Sequence, residues 1–484
     1  MAASHSASTS NPPQQHSPSR NPDPPISSDS NRSNQTCAET RDVEELESSI
    51  REKLFQTYLP PPSHCSIFRV PNMLRSHNEK AFLPEVVSIG PFHRENEQLQ
   101  SMEITKLRYL KCLLYRTGTT ELKSLVEAIQ SIEQDCREYY AEVVDLGSKK
   151  FIEMMLIDGC FILEFLYRYK ARYFGEISME LKEGEDDPMF KTSWMQRKIV
   201  ADLLLLENQL PWCVLVCLLK LFNSTTTEYG NSRLVDLVAC PFLEYRMFGE
   251  RNRINSPSGT LPHKHLLDCF RAQLVESCGP IETLLPLPYT WKESLMWKSI
   301  SSVTELLDFE IGFFAATVRD SCILDVKFED GKMKIPEIFI EENTESLFRN
   351  LIAFEHCDPS MGTQVTSYAA ILGCLIKSPA DALHLKQRHI LHIGWSNELD
   401  DQASFLNRLI YDNHTCFPGF HYSDLCLRLN GHQSRRFNVY QATLRRDYFK
   451  DPTTFFTLVY GIAFMLFLGI LQTIFAILSY YKDQ

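Results

Sequence analysis

The sequence predicts a mainly α-helical fold: a multi-helix globular body with a small β-hairpin element, followed by one C-terminal transmembrane helix. Three observations carry this. Apolar residues recur at helical spacing through most of the chain. One stretch near residue 330 alternates instead, around an Asp-Gly pair. From Pro452 to Tyr481 no side chain is charged.

In chain order, residues 1–40 hold ten serines and six prolines, with Ile26 as the sole large aliphatic residue after Met1. Such a segment cannot offset its ordering entropy and is expected to be disordered. The body is read as 41–450. Val43, Leu46, Ile50 and Leu54 predict a first amphipathic helix. Val86–His93 reads as a brief extended run stopped by Gly90-Pro91. Helical patterns follow over 98–116, with Leu99, Met102, Leu107, Leu110 and Leu114 expected in the core, and over 121–145, with Leu125, Ile129, Ile132, Cys136 and Tyr139 on one face. Two strongly apolar helices come next, Phe151–Tyr167 and Ile199–Leu221, separated by the acidic loop 182–188. Glu207–Pro211 is expected to break the second of them, with Asn208 as a cap ahead of a proline suited to a first helical turn. Polar stretches at 223–231 and 252–262 suggest an internal boundary near 223–262. Cys322–Phe328 and Met333–Ile340 alternate around Glu329–Lys332, which predicts a hairpin, and Pro336 places its second strand at an edge. Asn343 or Thr344 is expected to cap a helix over 345–357. Further helices are expected over 366–377, 380–392 and 400–411.

The stretch Phe455–Leu478 has the 24 apolar or uncharged residues that a helix needs to cross a bilayer core of about 20 residues, and no proline interrupts it. The transmembrane helix is read as 453–479 and the tail as 480–484. Arg445, Arg446 and Lys450 flank it on the N-terminal side, so the expected form is tail-anchored and single-pass, with a cytosolic body. No apolar signal sequence is present in residues 1–40. Gly461 and Gly469, eight apart, share a stripe on which two copies of the helix would meet in a homo-oligomer.

The net charge is −12 and the pI about 5.7. An acidic chain without a Lys/Arg cluster excludes the usual nucleic-acid binders. Fifteen cysteines lie without any CxxC spacing, which reads as reduced, buried thiols rather than a disulfide framework or zinc site. His263/His265 and His389/His392 have metal-like spacings, the latter pair on one helix face, but neither has a third ligand. His356-Cys357 is not a dyad, because adjacent helical residues point about 100° apart. No phosphate loop, nucleophile elbow or dinucleotide fingerprint is found. No cofactor is implied.

Asp158 and Glu164 in the first apolar helix, and Asp202 and Glu207 in the second, allow two readings. Brought together they would form carboxylate pairs fit for acid–base chemistry at a membrane surface. Paired instead with Arg108, Arg137 or Arg197, they would fix helix register.

Several segments then come in a fixed order. They are Val86-Val-Ser-Ile-Gly-Pro-Phe-His93, Met102–Leu110, Met155–Glu164, Asp202–Pro211, His265–Asp268, Thr304–Leu306 and Thr344–Cys357. Together they resemble the plant-specific family called domain of unknown function 247 (UPF0481-type membrane proteins), over about residues 60–475. The resemblance implies a C-terminal span and no defined activity. Some grass members are linked to pollen–stigma self-incompatibility, which implies recognition rather than catalysis. The chain departs from the pattern at Arg388-His-Ile390, where the family has Gly-Ile, and at Trp395–Asp400. The expected function is therefore that of a membrane-anchored recognition or scaffold protein with unidentified protein partners, with a membrane-surface enzyme as the alternative.

Overall fold

The computed structural model describes residues 43–54, 65–118, 121–174, 187–222, 230–245, 247, 263–277, 299–316, 322–394, 420–435 and 452–482. The Ser/Pro-rich segment, the helix expected over 400–411, the basic flank at 445–450 and the glycosylation acceptor sequences Asn223-Ser-Thr and Asn413-His-Thr lie outside them. The chain divides into two compact units, Met1–Pro61 and Pro62–Gln484. In the first, residues 43–54 form helix α1, with Val43, Leu46, Ile50 and Leu54 exposed.

The second unit is mainly helical. Its helices are α2 (Asn72–Arg75), α3 (Ser101–Thr117), α4 (Leu122–Ser131), α5 (Glu133–Glu138), α6 (Ser148–Phe174), α7 (Pro188–Lys191), α8 (Ser193–Asp202), α9 (Trp212–Phe222), α10 (Gly230–Phe242) and α11 (Leu266–Glu276). After α12 (Val303–Asp308) come strands β1 (Gly312–Ala316), β2 (Lys327–Glu329), β3 (Lys332–Pro336) and β4 (Ile338–Ile340). Then follow α13 (Thr344–Cys357), α14 (Gln364–Leu375), α15 (Pro379–Gln387), β5 (Leu391–Ile393), α16 (Ser423–Gln433) and α17 (Pro452–Lys482).

Helix α6 is the hub, with α3, α4, α9 and α10 packed around it. It is buried on nearly every side from Met154 to Leu166, as a helix apolar all round must be. Gly159 allows α9 to come close: a Cβ there would meet Leu218 Cδ1 at 2.6 Å. On α3 the buried face is Met102, Lys106, Tyr109, Leu110 and Leu113, whereas Leu107 is exposed. The helix expected over 121–145 is two, because Ile132 leaves helical geometry between α4 and α5.

The apolar run 199–221 breaks as expected, and further than expected. Helix α8 ends at Asp202, α9 begins at Trp212, and Leu203–Pro211 between them is buried without being helical. Asn208 is not a cap; its side chain serves a neighbouring segment described below. Neither expected cap of α13 forms: Asn343 makes no cap bond, and Thr344 Oγ1 accepts instead from the Glu341 N–H at 2.9 Å.

The hairpin is present as β2 and β3, antiparallel, with positive φ at Asp330 and Gly331. Its second strand is not at an edge. The sheet order is β1-β3-β2, and β1 adds in parallel to β3. Pro336 is tolerated because it is the last residue of β3, where the ladder ends. The pattern read as one strand to Ile340 supplies a second sheet, β4 parallel to β5. The helix expected to reach 392 stops at Gln387, and His389 takes φ 57°. His389 and His392 therefore share no helix face. The left-handed turn falls where the resemblance implies glycine.

Helix α17 contains Val459–Leu478, 20 residues long and apolar enough to cross a membrane, with none of it buried among the described residues. At 1.5 Å per residue these span about 30 Å, the thickness of a bilayer core. Eleven described cysteines are free, but Cys322 is disulfide-bonded, against the expectation that all are reduced.

Candidate functional site

Three of the four acids, Asp158, Asp202 and Glu207, converge on chain segments that have no regular structure. Residues 84–93 form neither helix nor strand, and Val87–Gly90 are buried. Buried backbone polar groups outside helix and sheet need side-chain partners, and the acids supply them. Asp202, at the end of α8, accepts from the N–H groups of Glu85 (3.0 Å), Val86 (2.7 Å) and Val87 (2.9 Å). Asn208 accepts from Ile89 N–H at 2.7 Å and donates to the carbonyls of Val87 and Asp202. Asp158, from the middle of α6, accepts from Gly90 N–H at 2.9 Å and from Lys106 Nζ at 2.7 Å. Lys106 is 1% exposed and also donates to Ser88 O. Burial alone would lower its pKa, but Asp158 and Glu103 outweigh this and hold it above the usual lysine value. Gly90 has φ 72°, and a Cβ there would sit 2.6 Å from Gln209 O, so this turn requires glycine.

Glu207 ties down the segment before this one. It accepts from Val70 N–H at 2.6 Å, forms an ion pair with Arg75, and faces His93 Nε2 at 3.5 Å. Burial raises its pKa; His93, Arg75 and the Val70 amide outweigh that and keep it below the usual glutamate value. Glu164 sits apart, held by Arg116 at 2.8 Å and Arg168 at 2.8 Å, while Arg168 reaches on to Asp187. Among the described residues none of the four acids bonds another. Their cations are Lys106, Arg75, Arg116 and Arg168, not the expected Arg108, Arg137 or Arg197. Arg137 instead pairs with Glu133 and donates to the carbonyls of Val144 and Leu146.

Asp202 lies at the floor of a cleft of about 150 Å³ lined also by Lys80, Glu85, Lys198, Glu342 and Ser346. It is 3% exposed, and burial pushes its pKa up to about 7 against the pull of its three amide donors. Lys198 spans the rim to Glu85 (2.9 Å) and Glu342 (3.0 Å). The cleft is small, Asp202 is taken up by three backbone amides and Lys198 by two carboxylates, so the arrangement fits a clamp on the 84–93 segment better than a substrate site.

The histidines have structural places. His265 caps α11: its Nδ1 accepts from Asp268 N–H at 3.2 Å and its Nε2 bonds Ser66 O at 3.2 Å. His263 stacks edge-on against Trp212. His356 is exposed and Cys357 closes α13 half-buried. Among the described residues no three His, Cys, Asp or Glu side chains are grouped to hold a metal.

Lys106 and Gln209 escaped sequence reading, and Asn208 was expected only as a cap. Their signals were present: Lys106 falls four residues after Met102 and three before Tyr109, inside the apolar face of α3. Glu207-Asn208-Gln209 is a polar run between Leu206 and Leu210, and Gln209 Nε2 donates to the carbonyls of Leu203 and Leu205. At the other end of the chain Phe455, Gly461, Gly469 and Leu478 all fall on α17. Gly461 and Gly469 line a shallow strip with Thr457, Met465 and Thr473, and Leu478 is exposed.

Compared with known proteins, residues 67–467 match the DUF247 model, described as a plant protein of unknown function. The chain is 27% identical over 444 residues to the UPF0481 protein At3g47200 of Arabidopsis thaliana, covering 87% of this chain and 88% of that one. It is 22% identical over 435 residues to the putative UPF0481 protein At3g02645 of Arabidopsis thaliana, covering 73% and 79%. No solved structure matches.

Proposed function

The chain belongs to the plant DUF247 family of unknown function, and from that premise we propose a single-pass membrane protein whose helical body is a recognition or scaffold module and not an enzyme. The observation that carries this is Val459–Leu478, an apolar helix of which no residue is buried among the described residues. In water such a face is costly to expose, at roughly 25 cal/mol per Å². Lipid removes that cost. The buried acids support the second half of the proposal, since each is occupied in holding backbone or a cation.

The body faces the cytosol in this proposal, because Arg445, Arg446 and Lys450 precede the span. The disulfide at Cys322 argues for the opposite side, where such bonds persist. A glycosylation acceptor placed after Gln484 separates the two. Modification there, with bare Asn223 and Asn413, is expected; glycans on Asn223 or Asn413 would put the body in the lumen. Release of the full chain by alkaline carbonate would sink the anchor itself. Proximity labelling from the body in plant cells is expected to return reproducible protein partners, and none across replicates would defeat the scaffold role.

A further inference from the structure

One cluster of nucleophiles has no part in the proposed function. Cys136 lies on α5, and Cys213 and Cys217 lie one turn apart on α9. Cys136 is fully buried and Cys213 partly exposed. The sulfur atoms of Cys136 and Cys213 are 3.7 Å apart, in contact but unbonded. Cys213 is the second residue of α9, where the N-terminal end of a helix dipole favours a thiolate. The Cys136 thiol against its sulfur acts in the same direction, lowering the pKa of Cys213 and raising that of Cys136, while burial and Asp135 oppose the lowering.

We propose that Cys136 and Cys213 form a reversible redox modification site, with Cys213 reacting first with a hydroperoxide and Cys136 resolving it into a disulfide. In the first step the Cys213 thiolate attacks one peroxide oxygen. The O–O bond breaks, the second oxygen leaves with the electron pair as hydroxide or alkoxide, and Cys213 becomes a sulfenic acid. In the second, the sulfur of Cys136 attacks that of Cys213. The S–O bond breaks, and the departing oxygen leaves as water with the proton of Cys136. Two thiols are oxidised and one hydroperoxide is reduced to an alcohol or water, with one further water released. Cys217 is a poor resolving partner. Residues i and i+4 on a helix hold their Cβ atoms about 5–6 Å apart, beyond the roughly 3.5–4.5 Å of a disulfide.

The bond would fasten α5 to α9. The residues just after α5 hold the 65–67 segment: Ser66 and Ile67 N–H donate to Tyr139 O at 2.9 Å, and Ala141 N–H donates to Ile67 O at 3.0 Å. Oxidation would therefore stiffen that junction.

The test uses the full chain in detergent, reduced, freed of reductant and treated with hydrogen peroxide. Peptide mapping after alkylation is expected to show a linked Cys136–Cys213 peptide besides that of the Cys322 disulfide, with the alkylation sites of Cys136 and Cys213 lost and both restored by dithiothreitol. In Cys136→Ser, Cys213 is expected to accumulate as a sulfenic acid trapped by dimedone, and Cys213→Ser should leave Cys136 reduced. A linked Cys213–Cys217 peptide, or folded protein with no linked Cys136–Cys213 peptide, would overturn the proposal. Should the serine variants not fold, the wild-type chain still decides: Cys213 must alkylate faster than Cys112 and Cys217, and a slower rate rejects the assignment.

Discussion

Helices α6 and α17 are both long and apolar, 27 and 31 residues, yet one is the centre of the body and the other is bare. What separates them is charge. Helix α6 carries Asp158, Glu164 and Arg168 into the core, each with a partner from another element or turn. Helix α17 carries no charge until Lys482. A protein interior can hold charges because it supplies partners for them; a lipid interior supplies none. The buried charges of α6 are thus a record of protein neighbours, and their absence from α17 fits the proposed lipid surroundings.

That contrast can be broken from either side. The largest effect is expected from Asp158→Ala, which takes from Lys106 its one fully buried charged partner and leaves it only the partly exposed Glu103. Removing one member of a buried pair costs about 3–5 kcal/mol, so denaturant titration should show a loss of that size. Asp158→Leu combined with Lys106→Met should recover part of it; no loss in the single variant would mean that the pair is not buried in solution. The converse change, Leu466→Asp in α17, puts a charge where no partner exists. It should reduce membrane insertion by about 2.5–3.5 kcal/mol and leave the unfolding midpoint of the body unmoved. A shifted midpoint would show that α17 packs on protein.

A smaller effect sharpens the picture of the body through His265. Burial lowers its pKa to about 4 from an ordinary 6.5, and its Nδ1 must stay unprotonated to cap α11. The folded state then binds fewer protons than the unfolded state between those values. Stability from this residue is full above about pH 6.5 and is lost as pH falls towards 4, by about 3 kcal/mol at most. His265→Asn keeps a capping acceptor without titrating, so its stability should fall less over that window; parallel curves would reject the assignment. The smallest effect is expected at His389. Glycine there removes the strain of φ 57°, and His389→Gly should stabilise by up to about 1 kcal/mol, read as a small rise in melting temperature.

Much of this was legible in the chain. Helix periodicity located α3, α4, α6 and α13, Asp-Gly located the β2–β3 turn, and an uncharged run marked α17, because each depends on neighbours along the sequence. The break between α8 and α9 was visible in Glu207–Pro211, but not its purpose. Strand order was not visible either: β1 joins β3 from before the hairpin, and β5 meets β4 from beyond helices α13, α14 and α15.

The sequence by itself determined the mainly helical class, the buried character of α6, the turn at Gly331 and the membrane-crossing length of α17, since all follow from local spacing and composition. Only the tertiary structure decided what the acids do. Asp202 meets Val87 across 115 residues and Asp158 meets Lys106 across 52, and no periodicity encodes which distant donor a buried carboxylate will find. That choice is made by packing, when residues 84–93 are enclosed and their backbone must be bonded by whichever side chains surround it.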